Sequence, residues 1–219
     1  MKVQLLLASQ SPRRKDLLKQ LGYQFNCLPA DIDESLLTDE TPINYVKRLA
    51  IAKAQHIYNI TIFKNKNSQT IPSDQSLSNE KEGKIIVLGS DTTVVINEKI
   101  LTKPTDLEDC IAILTQLSGK KHQVLTAISA TNGIKTLSEV VTTDVYFKPL
   151  TVDEIIRYWH TGEPQDKAGA YGIQGIAGQF VTHIEGSYSA VVGLPLYQTV
   201  QLLTQFNVLN TLQLTSQHS

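Results

Sequence analysis

The chain has 219 residues, enough for one large domain or two small lobes around a real core. Hydrophobic residues make up 41% and charged residues 19%, and 20 Lys+Arg against 21 Asp+Glu give a formal net charge of -1. That balance is ordinary for a soluble globular protein and provides no global basic field for wrapping DNA or RNA, so nucleic acid is not an expected partner; only a local basic site is compatible with it.

Val3 to Ala8 is short, apolar and bounded by Ser and Pro, which predicts a buried strand. Ser11 fits an N-cap and Pro12 the first helical position, with Leu17, Leu18 and Leu21 as the apolar face and Gly22 as the stop. The apolar stretch is too short for a signal peptide, charge follows at once, and no later segment reaches membrane-spanning length; the expected compartment is the cytoplasm. Phe25 to Leu28 reads as a second strand leading into the acidic turn ADIDES. Cys27 and Cys110 stand too far apart in sequence to suggest a disulfide framework or a zinc ligand set. Thr41-Pro42 repeats the cap signal, and Val46, Leu49, Ala50, Ala54 and Ile57 follow at helical spacing. Residues 61–83 are polar and aperiodic, which predicts a long surface loop.

KIIVLGSDTTVVIN reads as two β-branched runs interrupted by Gly-Ser-Asp. Thr105 and Glu108 form a capping-box pattern opening a helix to Leu117, and Thr151 and Glu154 form a second one opening a helix to His160. Between them HQVLTAISATN and LSEVVTTDVYF predict paired strands joined at Gly133. The stretch 162–195 is glycine-rich, a last helix runs from Pro195 to about Phe206, and the tail after Asn210 is polar. Hairpin and crossover spacings together argue an α/β fold with a mixed sheet, a single domain over 1–210 and a tail over 211–219.

The first constellation with chemistry is LLLASQSPRRKDLL. Three cations follow the start of a helix, where the partial positive charge prefers anions. Two readings compete. Ser9, Ser11 and Arg13 with the helix N-terminus form an anion pocket suited to phosphate, or Arg13, Arg14 and Lys15 are a solvated face. The P-loop pattern is absent. Asp91, between two apolar runs, either caps a turn, binds a metal or does acid–base work, with Asp31, Asp33 and Glu34 as possible partner carboxylates for Mg²⁺ or Mn²⁺. Lys53 and Lys103 each read as snorkelling surface lysines or cleft cations. In the glycine-rich stretch, Asp166, Lys167, Tyr171 and Gln174 accompany glycines that permit close backbone approach. Gln174 carries a paired amide donor and acceptor able to read a base edge.

Eight segments in this order, LASQSPRRKDLLKQLG, DIDE, AIAKA, LGSDTTVV, TKP, LSGKKHQVLTA, GEPQDKAGAYGIQG and IEGSYSAVVGLPL, resemble the Maf family of nucleoside triphosphate pyrophosphatases over about residues 3–206, leaving out 61–83. The resemblance implies an inosine-triphosphatase-like (Maf/Ham) fold, with a long mixed sheet and two lobes around a central cleft. It implies hydrolysis of a nucleoside triphosphate to monophosphate and pyrophosphate with a divalent metal, Mg²⁺ or Mn²⁺. DKAGAYGIQG resembles the dTTP/UTP branch; a 7-methyl-GTP or broad-specificity pyrophosphatase is the alternative, and a non-catalytic regulator of cell division the alternative of a different class. By the same resemblance Asp91 is the proton acceptor. Arg13, Thr92 and Gln174 match positions that set substrate preference, and Ser9, Glu34, Lys53 and Lys103 match polar cleft positions. Glu34 and Asp91 are the implied metal ligands, and a homodimer the implied assembly. Ser90 stands where many members have Ala, and 61–83 is longer than usual.

Overall fold

The structure, a computed structural model, describes residues 3–67 and 84–214. Its strands are β1 (Gln4–Ala8), β2 (Phe25–Leu28), β3 (Ile85–Ile96), β4 (Lys99–Leu101), β5 (Lys121–Thr131), β6 (Thr136–Phe147) and β7 (Val181–Glu185). Its α-helices are α1 (Pro12–Gln20), α2 (Pro42–Asn67), α3 (Leu107–Leu117), α4 (Val152–Trp159), α5 (Tyr188–Val192), α6 (Leu196–Thr204) and α7 (Thr211–Leu214), and three short 3-10 helices lie between Glu163 and Phe180. One mixed sheet runs in the order β2-β1-β3-β5-β6-β7, with β4 also paired to β3. β1 is parallel to β2 and β3, and every other pairing is antiparallel. This is the expected α/β architecture.

Several local expectations need correction. Residues 61–67 are not loop but the end of α2, and 68–83 lie outside the described residues. Gly89-Ser90-Asp91 does not interrupt the chain: β3 is continuous from Ile85 to Ile96 because β5 pairs with it from Val87 to Val95. The cap of α3 is Asp106, which accepts from the Asp109 N–H at 2.8 Å; the box pattern stands one residue away from where the helix begins. Thr151 and Glu154 do form a capping box. Pro195 is the residue before α6 rather than its first, and the polar tail contains α7, tied back through Thr211 to the Gly22 carbonyl at 3.0 Å.

β3 organises the site. Side chains alternate across a strand, so its even and odd positions meet different neighbours. Ile86 and Leu88 join Leu17 and Leu18 of α1 and Leu202, Leu203 and Phe206 in one core; Val94 and Ile96 join Leu101, Ile113, Leu114, Tyr158 and Phe180 in another. Ser90 and Thr92 lie between the two cores on that face. On the odd face Val87 packs with Ala54 and Ile57, and Val95 with Val46 and Ala50, all from α2. Gly89 is what lets α2 lie so close. A Cβ there would stand 2.3 Å from the Ala50 carbonyl oxygen and 2.9 Å from the Ala54 nitrogen.

The sheet also has a notch. β1 pairs with β3 only as far as Ala8↔Gly89, and β4 takes up the same edge at Val94↔Leu101. Residues 90–93 therefore have a strand neighbour on the β5 side alone. The notch lies at the carboxyl end of β1, where the chain turns toward β2 on one side and later to β3 on the other. Such a topological switch point is where open α/β sheets place their ligands.

Candidate active site

The β1–α1 connection forms one wall of the notch. Ser9 Oγ accepts from the Ser11 N–H at 3.1 Å, and Ser11 caps α1 by accepting from the Arg14 N–H at 3.5 Å. Ser9 is 8% exposed, and its hydroxyl orders this loop and lies 3.4 Å from an Arg14 Nη, rather than lining the cavity. A cavity of about 730 Å³ opens here, lined by the other residues that the resemblance implies: Arg13, Glu34, Lys53, Asp91, Thr92, Lys103 and Gln174.

At its floor Asp91 and Lys53, 7% and 8% exposed, form an ion pair of 2.6 Å, and the same Lys53 Nζ lies 2.6 Å from Glu34 Oε1. Lys53 is thus no snorkelling lysine. It occupies the apolar stripe of α2, between Ala50 and Ala54, where a charge is tolerated only because two carboxylates meet it. Asp91 caps no turn. Burial raises its pKa, Lys53 and Arg14 oppose that rise, and Glu34 adds to it. Of the acidic candidates before α2, Glu34 reaches the site, whereas Asp33 accepts from the Ser35 N–H at 2.8 Å and shapes the turn. The segment carrying Glu34 is clasped to α2. Arg48 engages both Glu40 oxygens at 2.6 and 2.7 Å and donates to the Ser35 carbonyl at 2.9 Å, and the Tyr45 hydroxyl donates to the Glu34 carbonyl at 3.0 Å.

Arg14 is not among the expected cleft residues, yet it is the most firmly placed cation of α1. Its Nε donates to the Gly193 carbonyl at 3.0 Å and one Nη to Thr92 Oγ1 at 3.1 Å. Burial pushes its pKa down and Asp91 holds it up. A signal for it exists in the sequence: Arg14 precedes Leu17, Leu18 and Leu21 by three, four and seven residues, so it continues the buried face of α1. Thr92 Oγ1 lies 3.0 Å from Thr126 Oγ1, linking Arg14 to β5. Ser90 donates to the same Gly193 carbonyl at 2.9 Å, so its hydroxyl, absent from an Ala, supports the anchor of Arg14. Arg13 also lines the cavity, as expected.

The glycine-rich segment forms the opposite wall. Gly169, at φ 68, packs its backbone against Val94, where a Cβ would stand 2.8 Å from that side chain. Lys167 pairs with Asp166, and both line the cavity with Tyr171. Behind the wall the Tyr171 hydroxyl is 2.9 Å from His122 Nε2, and the two rings stack edge-on around Phe147. His122 is 2% exposed, and burial lowers its pKa to about 4. Because an unfolded histidine binds its proton near pH 6.5, stability should be fully present above that value and fall as pH drops toward 4, by about 3 kcal/mol in all. Urea denaturation at pH 7 and pH 4 checks this. His122→Gln, which keeps an amide for Tyr171, should lose less stability over that interval than wild type, and an unchanged loss would remove His122 as its source.

Fold and cavity together define an α/β protein with a cationic, carboxylate-bearing cleft at a sheet switch point. The chain belongs to the Maf family, whose model, described as Maf-like protein, matches residues 4–206. It is 55% identical over 199 residues to the dTTP/UTP pyrophosphatase of Colwellia psychrerythraea (91% of this chain, 86% of that one). It is 50% identical over 204 residues to the dTTP/UTP pyrophosphatase of Pseudoalteromonas atlantica (93% and 97%), and 47% identical over 202 residues to that of Vibrio cholerae (92% and 97%). Among solved structures it is similar to the Ham1 protein of Staphylococcus aureus, with a TM-score of 0.43 and 13% identity over 66% of this chain and 71% of that one. No helix among the described residues is long and apolar enough to cross a membrane.

Proposed function

We propose that this chain hydrolyses dTTP and UTP to the monophosphate and pyrophosphate. The observation that carries the reading is the meeting of a buried carboxylate, Asp91, with fixed cations in one cavity of nucleotide size. The shared name of the relatives agrees with it.

In this reading a water oxygen bonds to the α-phosphorus and its proton passes to Asp91. The bond from the α-phosphorus to the bridging oxygen breaks, and pyrophosphate leaves with that electron pair. A carboxylate whose pKa is raised by burial is a better proton acceptor than an ordinary one. Lys53, Arg13, Lys103 and Arg14, which all line the cavity, oppose the charge on the phosphates and the leaving group. Gln174 presents its amide to the edge of the base.

Glu34 and Asp91 fit a divalent cation. Both carboxylates already converge on the Lys53 ammonium, and oxygen donors of this kind, completed by phosphate and water, are what Mg²⁺ or Mn²⁺ takes. Glu34 and Asp91 would be its protein ligands, and when bound it would neutralise phosphate charge and acidify a water. A homodimer is proposed from family resemblance alone, and sedimentation velocity would read it.

The test is incubation of the pure protein with Mg²⁺ or Mn²⁺ and a panel of canonical and modified nucleoside triphosphates. We expect dTTP and UTP to lead. A lead by 7-methyl-GTP would overturn the substrate assignment, and turnover of none would overturn catalysis and favour a nucleotide- or partner-binding role.

A further inference from the structure

We propose that Glu163 is a positioning residue for base discrimination, acting through the turn that presents Gln174; this rests on the reading of Gln174 as the base contact. Gln174 is exposed at the cavity wall, so its location depends on its backbone. That backbone lies between Gly172 and Gly175, joined by a hydrogen bond from the Gly175 N–H to the Gly172 carbonyl at 3.0 Å.

Glu163 holds the far side of this turn. Its Oε2 accepts from the Ile176 N–H at 2.7 Å and its Oε1 from the Ala177 N–H at 3.2 Å, the two donors just after Gly175. The 3-10 helix starting at Ile176 has no side-chain cap of its own, and this carboxylate serves instead. Oε1 also accepts from the Tyr158 hydroxyl at 2.8 Å. Tyr158 is 2% exposed in the core of α4 and packs edge-on against Phe180 with ring centroids 5.1 Å apart. The turn is therefore fixed to a rigid core by one carboxylate. Gly175 closes the arrangement: a Cβ there would stand 2.2 Å from Glu163 Oε2. A base-reading amide discriminates only as well as its support holds it, and a displacement near 1 Å is enough to lose geometry.

The experiment measures kcat and KM for UTP, CTP and GTP, together with melting temperature, in wild type, Glu163→Ala, Glu163→Gln, Gly175→Ala, Gln174→Ala and the Glu163→Ala/Gln174→Ala pair. Gln174→Ala and Glu163→Ala should each reduce the preference for UTP by about tenfold, chiefly through KM, with the pair little worse than either. Glu163→Gln keeps one acceptor oxygen and should lie between. Gly175→Ala, whose Cβ would collide with the Glu163 carboxylate and break its hold on the turn, should lower the preference too. A Gln174→Ala effect with unchanged preference in Glu163→Ala and Gly175→Ala overturns this inference alone, as does an equal kcat loss on all three nucleotides. Unchanged preference in Gln174→Ala removes base reading by Gln174, and this inference with it.

Discussion

Asp91→Asn is expected to lower turnover of UTP by about 10³-fold or more while leaving the protein folded. The substitution keeps the shape of the side chain and removes the group proposed to take the proton. Its effect on stability should be small or favourable. Burial raises the pKa of Asp91, so the folded protein carries its negative charge at a cost above the ordinary carboxylate range. An amide has no such cost, and Lys53 keeps Glu34 as a counter-ion at 2.6 Å. Steady-state kinetics with a thermal melt in parallel checks both halves. Near-normal turnover would take Asp91 out of the chemistry, and a large fall in melting temperature would make it structural.

Lys53→Met should damage both activity and stability. The thioether stem fills the same slot between Ala50 and Ala54, but Asp91 and Glu34 lose the ammonium that pairs with both of them. Removing one partner of a buried pair costs about 3–5 kcal/mol, because the other charge stays buried. Turnover should fall about 10²-fold or more, since a phosphate-side cation is lost and Asp91 is pushed further toward its protonated form. The double variant Lys53→Met/Asp91→Asn should regain most of the lost stability, although not activity. A cycle of urea denaturation curves over the four proteins measures that coupling. Additive losses would contradict the ion pair. Lys53→Arg is not expected to rescue, because a planar fork does not replace a compact ammonium between two carboxylates.

Much of the fold is legible in the chain because its signals are local. The Ser11-Pro12 start of α1, the Gly133 turn between β5 and β6 and the Thr151–Glu154 box all follow from backbone preferences and side-chain caps within a few residues. What escapes is decided by distant partners. Gly89-Ser90-Asp91 reads as punctuation, yet β5 pairs straight through it, and its glycine serves the approach of α2 rather than a turn. β7 hides at the end of a glycine-rich stretch and exists because β6 offers it an edge.

The same division runs through the site. Asp91, Glu34 and Lys53 can be singled out by residue type, and the notch that joins them depends on where β1 stops and β4 begins, which no local pattern records. Arg13 is legible as a helix-start cation. Arg14 needs the helical face of Leu17, Leu18 and Leu21 to be extended backward, and its anchor at Gly193 is 179 residues away. Glu163 resembles any surface glutamate after a helix until the Tyr158 hydroxyl and two backbone N–H groups are seen to converge on it.

In the proposed reaction water attacks the α-phosphorus in the cavity beside Asp91. Hydrolysis of UTP in water enriched in oxygen-18, with the products separated and weighed by mass spectrometry, locates the phosphorus that is attacked. The heavy oxygen should appear in the monophosphate, with pyrophosphate unlabelled. Label in pyrophosphate, or release of orthophosphate and a nucleoside diphosphate, would contradict it.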